Sequence, residues 1–316
     1  MPLTNPLPTE LLLEILAQLP VNSNPLDILL VSSSFYHVFS ELLYGHLKFR
    51  RIDQLTRFLN TFNSTISIPR PIRSITIDVD NGLRLGLYAH IQALFSLCTA
   101  APHAEIDDHG RLVLENLKFR FHTHSRGNDL SVIYDALTLV NPRTFTWVGP
   151  DPPHHFSAAI VPAALSYVLQ ALATHTNLTY LTLSHVKFPD NGEILLLPQF
   201  PSLKSLTLSQ VIFLRSDIVL EYLIKSGSQL ESIRLIDAYQ HSIWGSRLRR
   251  SHIENAATRR FTFEAFNDDS LPHADQADSM LTEVSVLQKI RRVVLCQGKF
   301  ERIIGGDRVL KDSILI

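Results

Sequence analysis

Asn177-Leu178-Thr179-Tyr180-Leu181-Thr182-Leu183, Ser202-Leu203-Lys204-Ser205-Leu206-Thr207-Leu208 and Gln229-Leu230-Glu231-Ser232-Ile233-Arg234-Leu235 are three copies of one pattern, apolar-x-x-apolar-x-apolar. Their first apolar residues stand 25 and 27 residues apart. A strand sends alternate side chains to one face, so the last two apolar positions of each copy line one side, with Thr182, Thr207 and Arg234 on the other. A short apolar strand returning at this period predicts stacked units, each burying its leucines against the next. An ordinary α/β domain with leucine-rich strands is the alternative. Three copies in tandem favour the repeat.

Weaker copies extend the array in both directions: Ile72, Ile75 and Ile77; Leu114, Leu117 and Phe119; Phe145 with Trp147; Phe261 with Phe263; and Ile290, Val293 and Leu295. Roughly eight units fit the chain at such periods. Between them lie segments with helical character, Gly86–Cys98, Asp129–Val140, Ser157–His175, Asp217–Lys225 and Asp278–Lys289, each able to cover one side of a strand. The expected fold is an irregular α/β solenoid over 66–316.

A different pattern fills the first 48 residues. Pro8 suits a first helical turn, Glu10 stands near the positive end of the helix dipole, and Pro20 ends the run, which predicts a helix from Pro8 to Leu19. Leu11, Leu12, Leu13, Ile15, Leu16 and Leu19 spread over an apolar arc of roughly 200°, about twice that of an ordinary surface helix. Such a helix can pack on its own domain with one stripe and offer another to a partner. Asn24 can cap a short second helix opened by Pro25 and Asp27, and Ser32 to Ser34 a third, in which Phe35, Val38, Phe39, Leu42 and Leu43 recur at helical spacing.

This order of residues resembles the F-box, the adaptor-binding module of substrate receptors in SCF-type cullin-RING ubiquitin ligases. The matching residues are Leu7-Pro8, Glu10-Leu11, Ile15-Leu16, Leu19, Leu29, Val31-Ser32 and Phe35, within about residues 5 to 48. Phe35 stands where the family commonly has tryptophan, and a serine run replaces an often basic stretch. The three-copy pattern resembles the leucine-rich repeats that follow F-boxes in many receptors. It lacks the usual asparagine or cysteine after the strand, with Ser184 and Ser209 near that place, and several units are longer than the family's.

The resemblance implies three parts: an adaptor-binding module over 1–48, a helical linker over 49–65 and a repeat domain over 66–316. It implies a non-catalytic function, recruitment of a protein substrate for ubiquitin transfer by other subunits. Leu7, Pro8, Leu11, Ile15, Leu16, Val31 and Phe35 would bury against a Skp-type adaptor or shape the surface that does. A repeat scaffold that uses the same helices only as a cap, with no ubiquitin role, is the alternative.

Composition fits a protein with a sizeable core: 316 residues, 45% hydrophobic and 19% charged. A formal net charge of −1 provides no overall field to recruit nucleic acid or a membrane surface. No leader-like or membrane-spanning run is recognised, and Cys98 and Cys296 lie in apolar surroundings without metal-ligand spacing, so a cytoplasmic or nuclear location is expected. The sequons at Asn63 and Asn177 are then chance.

Residues that could carry chemistry do not assemble. His122 with His124, His154 with His155, and Asp107-Asp108-His109 have partial ligand spacing, but each also suits a solvated strand face or turn. A metal-dependent enzyme built on these histidines is therefore a distant third reading. Gly305-Gly306 has neither a Walker lysine nor dinucleotide-loop spacing, and no nucleophile elbow is present. No enzyme and no cofactor is expected. One segment departs from the repeat: Tyr239 to Arg260 groups Arg247, Arg249, Arg250, Arg259 and Arg260 around Trp244. Arginine and tryptophan favour binding hot spots, so Trp244, Arg247, Arg249 and Arg250 are candidate contacts for a partner carrying negative charge; a solvated basic helix face is the other reading.

Overall fold

The computed structural model of the protein describes residues 8–18, 27, 30–62, 68–79, 86–121, 130–148, 160–190, 192–267, 283–299 and 312–316. Leu7, Leu19, Leu29, the sequon at Asn63, the two histidine pairs and Gly305-Gly306 lie outside these residues. Among the described residues the first helices with defined bounds are α1 (Thr9–Ala17) and α2 (Ser33–Gly45), Asp27 between them being helical and the rest of the expected short second helix lying largely outside the described residues. Strands and helices then alternate: β1 (His46–Phe49), α3 (Ile52–Thr61), β2 (Ser74–Val79), α4 (Leu87–Thr99), β3 (Leu112–Phe121), α5 (Ser131–Leu137), β4 (Val140–Val148), α6 (Pro162–Ala173) and β5 (Tyr180–Lys187). The order continues with β6 (Ser205–Ile212), α7 (Ser216–Lys225), β7 (Ser232–Ala238), α8 (Arg250–Asn267), α9 (Glu283–Val293), β8 (Val294–Gly298) and β9 (Ser313–Ile314).

All described strands join one nine-stranded sheet whose spatial order is the chain order, parallel from β1 to β8 and closed by antiparallel β9. The apolar positions read from the sequence stand side by side across it. One row runs Leu47, Ile75, Leu117, Phe145, Leu181, Leu206, Ile233, Val294, and the next Phe49, Ile77, Phe119, Trp147, Leu183, Leu208, Leu235, Cys296. Every member of both rows is buried and belongs to one core with the inner sides of the helices. Where β3 and β4 lack leucine, aromatics fill the same places: Phe119 stacks on Phe121 at 5.2 Å and meets Trp147 edge-on at 5.5 Å. Aromatic volume in the rows keeps the core filled without a uniform leucine repeat.

The rows end in a shared backbone irregularity. His185, Gln210 and Asp237 adopt φ of 58°, 50° and 48°, each one residue before the aligned trio Val186, Val211 and Ala238. Strict alternation would turn that trio to the opposite side of the sheet. The left-handed residue resets the phase, and all three are buried. The conformation costs non-glycine residues on the order of 1 kcal/mol each, offset here by the extra buried side chain.

Several sequence expectations need correction. Phe261 and Phe263 are not on a strand: both lie in α8, where Ile253, Ala257 and Phe261 follow the i, i+4, i+8 stripe that faces inward. Ile290 and Val293 likewise belong to α9, buried with Val286 at helical spacing, and only Leu295 of that copy is on β8. The region expected as a linker contains α3, but β1 just before it already pairs in parallel with β2, so the sheet begins at His46.

Helix ends follow their local chemistry. Ser32 caps α2 by accepting from the Phe35 N–H at 3.2 Å, and Pro162 opens α6. Lys289 of α9 donates to the Leu223 and Ser226 carbonyls at 2.6 and 2.7 Å, satisfying the C-terminal end of α7.

Candidate functional site

The N-terminal helices leave apolar surface uncovered. In α1, Leu12 is buried and Leu16, four residues on, is half-buried, forming the stripe that packs toward α2. Leu11 and Ile15 flank that stripe on one side at 46% and 42% exposure, and Leu13 is exposed on the other. Val31, at 64% exposure, and Leu30 are also exposed before α2, as are Tyr36, Leu42 and Leu43 on it. Eight of the 17 exposed large hydrophobic side chains among the described residues thus fall between Leu11 and Leu43, a concentration expected of an interaction surface rather than of scattered surface leucines. Pro8 is exposed at the N-cap of α1, and Phe35 is half-buried at the start of α2.

This surface is fixed to the sheet. Arg70 donates to the hydroxyl of buried Ser40 at 3.1 Å and contacts His37, while Arg73, just before β2, pairs with Glu41 at 2.9 Å. Tyr44 of α2 packs edge-on against Phe62 at 5.8 Å. The strap from 68 to 73 therefore holds α2 in one orientation on the first strands.

The arginine segment is not one exposed loop. Only its first part, to Arg249, precedes α8. Trp244 is exposed, as a hot-spot residue would be, but Arg247 is fully buried. Its Nε donates to Asp237 at 2.8 Å, and its guanidinium lies 5.5 Å from the Tyr239 ring. Asp237 also accepts two bonds from the Lys299 backbone N–H at 3.2 Å, so this pair ties β7, the following turn and the end of β8 together. Arg247 is a clamp inside the fold and presents no surface to a partner. Arg249 and Arg250 are half-buried, with Arg250 3.9 Å from Glu254. Nothing in the sequence spacing distinguishes Arg247 from its neighbours; Asp237, ten residues earlier at the end of an apolar strand, was the available sign of a buried partner.

The opposite side of the sheet is mostly polar, with Val148, Tyr180, Ile236 and Leu295 as apolar members. Across the strands one row reads Lys48, Thr76, Lys118, Thr146, Thr182, Thr207, Arg234, Leu295, half-buried or exposed throughout and without an acidic member. At the strand starts, a groove of about 780 Å³ is lined in part by Arg73, Arg143, Glu105 and Glu115, whose charges balance. A second groove, about 520 Å³, lies among Arg215, Arg259, Arg260 and His241.

Several titratable groups among the described residues are held by hydrogen bonds or burial within the fold. Asp107 accepts from Arg111 Nε at 2.8 Å, Asn141 Nδ2 at 2.7 Å and the backbone N–H of His109 and Arg111. Burial raises its pKa, but these hydrogen bonds outweigh that and hold it below the usual value. His175, fully buried, bonds the Leu137 carbonyl through Nε2 at 3.0 Å, and burial pushes its pKa down to about 4. Burial raises both cysteine thiols, Cys296 to about 12, which disfavours the thiolate a nucleophile needs. Among the described residues no group of three or more His, Cys, Asp or Glu is placed to hold a metal ion, and no helix is long and apolar enough to cross a membrane. No protein-family model matches the chain, and no curated protein matches it.

Proposed function

We propose that the protein is a non-catalytic substrate receptor of an SCF-type cullin-RING ubiquitin ligase, in which α1, residues 30–31 and α2 dock on a Skp-type adaptor and the sheet domain holds a protein substrate. One observation carries the reading: α1 buries Leu12 against its own domain while leaving Leu11 and Ile15 exposed beside it. A helix serving only as a cap would turn its widest apolar stripe inward and be polar elsewhere. The F-box-like order of residues accounts for that surplus, and the adaptor is the partner it implies.

In this reading the β–α units form a leucine-rich-repeat-like solenoid, supported by the two apolar rows and by a strand order that follows the chain. Its polar sheet side and its grooves are the places for substrate. Fully burying a leucine or isoleucine contributes about 1.5 to 3 kcal/mol, and a side chain already half covered gains about half of that. Leu11→Asp with Ile15→Asp removes this gain and places two charges in the contact. Because both residues are exposed, the variant folds; circular dichroism checks it. Recombinant adaptor is expected to be retained by the wild-type chain on a resin and lost by the variant. Equal recovery of adaptor by both would overturn the proposal and leave the scaffold reading.

A further inference from the structure

We infer that the groove between the start of α7, the turn after β7 and α8 is a docking site for an acidic peptide segment. Arg215 enters from the residue before α7, Gln240 and His241 from the turn, and Arg259, Arg260 and Phe263 from α8. The α8 residues recur at i, i+1 and i+4, so they share one helix side. The sequence marked this region as basic but placed the contact on Trp244, Arg247, Arg249 and Arg250. The fold withdraws Arg247 into the core and assembles a different set of arginines, Arg215 coming from a separate unit of the sheet.

The charge count selects the occupant. Asp217 pairs with Arg215 through Nε at 3.0 Å, and Glu221 is shared by Arg260 and by Lys225, the latter at 3.7 Å. Among the residues that line the groove, three arginines, Arg215, Arg259 and Arg260, thus stand against one carboxylate, Asp217, with Lys225 and Glu221 outside the lining. Arg259 uses Nε on its own helix, at the Asn255 carbonyl 3.2 Å away, and is itself exposed. The balanced groove at the strand starts has no such preference. Phe263, 70% exposed at the rim, adds an apolar surface beside the guanidinium groups. Arginine with an exposed aromatic favours a peptide with both carboxylates and an apolar side chain over a small anion. The walls are set before any ligand arrives: Phe213 N–H bonds the His241 carbonyl and Leu214 N–H the Tyr239 carbonyl, both at 3.0 Å, and the Asp237–Arg247 clamp secures the same turn. A preformed groove loses less conformational entropy on binding.

The identification of such a segment as part of a recruited substrate rests on the receptor reading; the groove's preference for acidic peptide does not. The test uses the full chain without adaptor and a fluorescein-labelled peptide of alternating glutamate and leucine-serine pairs, read by anisotropy at low and physiological salt. Binding that weakens with salt is expected, and the matching glutamine peptide is expected to bind much less. Arg215→Gln with Arg259→Gln is expected to weaken binding about tenfold or more, the loss of charge-assisted hydrogen bonds. Phe263→Ser, at an exposed site with no effect on folding, also weakens it, whereas Arg249→Gln, outside the groove, leaves it unchanged. Equal affinity for the glutamate and glutamine peptides, an unaltered double variant, or displacement of the peptide by inorganic phosphate at equal concentration would each overturn the inference. Adaptor retention by the double variant is measured in parallel, so failure of the groove and failure of the receptor reading are separate results.

Discussion

Replacing Arg247 by serine separates two accounts of the same residue. If Arg247 were an exposed partner contact, the change would alter binding and leave stability within about 0.5 kcal/mol of wild type. In the fold its side chain is 1% exposed and that of Asp237 3%, with 2.8 Å between Nε and Oδ1. Removing one partner of a buried pair leaves the other charge uncompensated, at a cost of about 3 to 5 kcal/mol. The Lys299 N–H still donates to Asp237 but carries no full charge, so it offsets only part of this. With a urea slope of about 3 kcal/mol/M, the unfolding midpoint should fall by about 1 to 1.7 M at unchanged slope. Asp237→Asn combined with Arg247→Met is expected to recover most of the loss, because no charge is then buried and asparagine tolerates the left-handed backbone at this position. A midpoint for Arg247→Ser indistinguishable from wild type, or a double variant less stable than the single, would refute the clamp.

Leu206→Ala should destabilise by about 2 to 5 kcal/mol in the same assay, since Leu206 is buried between Leu181 and Ile233, while Thr207→Ala on the other sheet face should change stability by less than about 0.5 kcal/mol. Similar losses for both would contradict the strand phase. His175 gives the protein an acid weakness: its folded pKa of about 4 lies below the unfolded 6.5, so the folded state binds the proton less readily. Its contribution is full above pH 6.5 and is lost as pH falls toward 4, by about 3 kcal/mol over that window. Urea midpoints across this range should show the decline in wild type and a flatter profile in His175→Gln; parallel profiles would reject the assignment to His175.

The sheet was legible where apolar residues repeat at strand spacing with turn residues around them. Leu178 to Leu183, Leu203 to Leu208 and Leu230 to Leu235 fall in register as the pattern requires, and their core is continuous with the aromatic positions in β3 and β4. β1 was not legible, because Leu47 and Phe49 are only two apolar residues in a four-residue strand that depends on pairing with β2. α8 was misread because two phenylalanines two apart imitate a strand, whereas the burial that decides the matter comes from Ile253 and Ala257 further back. The left-handed residues at 185, 210 and 237 were hidden as well: glutamine carries no preference for that backbone, and the enrichment of histidine and aspartate in it is only a weak local hint. Among candidate contacts, the exposed positions of α1 follow from helical periodicity, since the apolar arc exceeds what one packing stripe can cover. Burial of Arg247 and the grouping of Arg215 with Arg259 depend on contacts between distant segments, which local spacing does not encode.

Calorimetric titration of the full chain with a purified Skp-type adaptor, repeated at several temperatures, tests the central proposal most directly. The surface of Leu11, Ile15, Val31 and the exposed side chains of α2 should produce a one-to-one complex, micromolar or tighter, that is, about −8 kcal/mol or more favourable. Burial of that apolar surface should make the binding heat more negative as temperature rises, and Leu11→Asp with Ile15→Asp should abolish the signal. A folded wild-type chain that yields no saturable heat and no complex on gel filtration at adaptor concentrations well above micromolar would contradict the account.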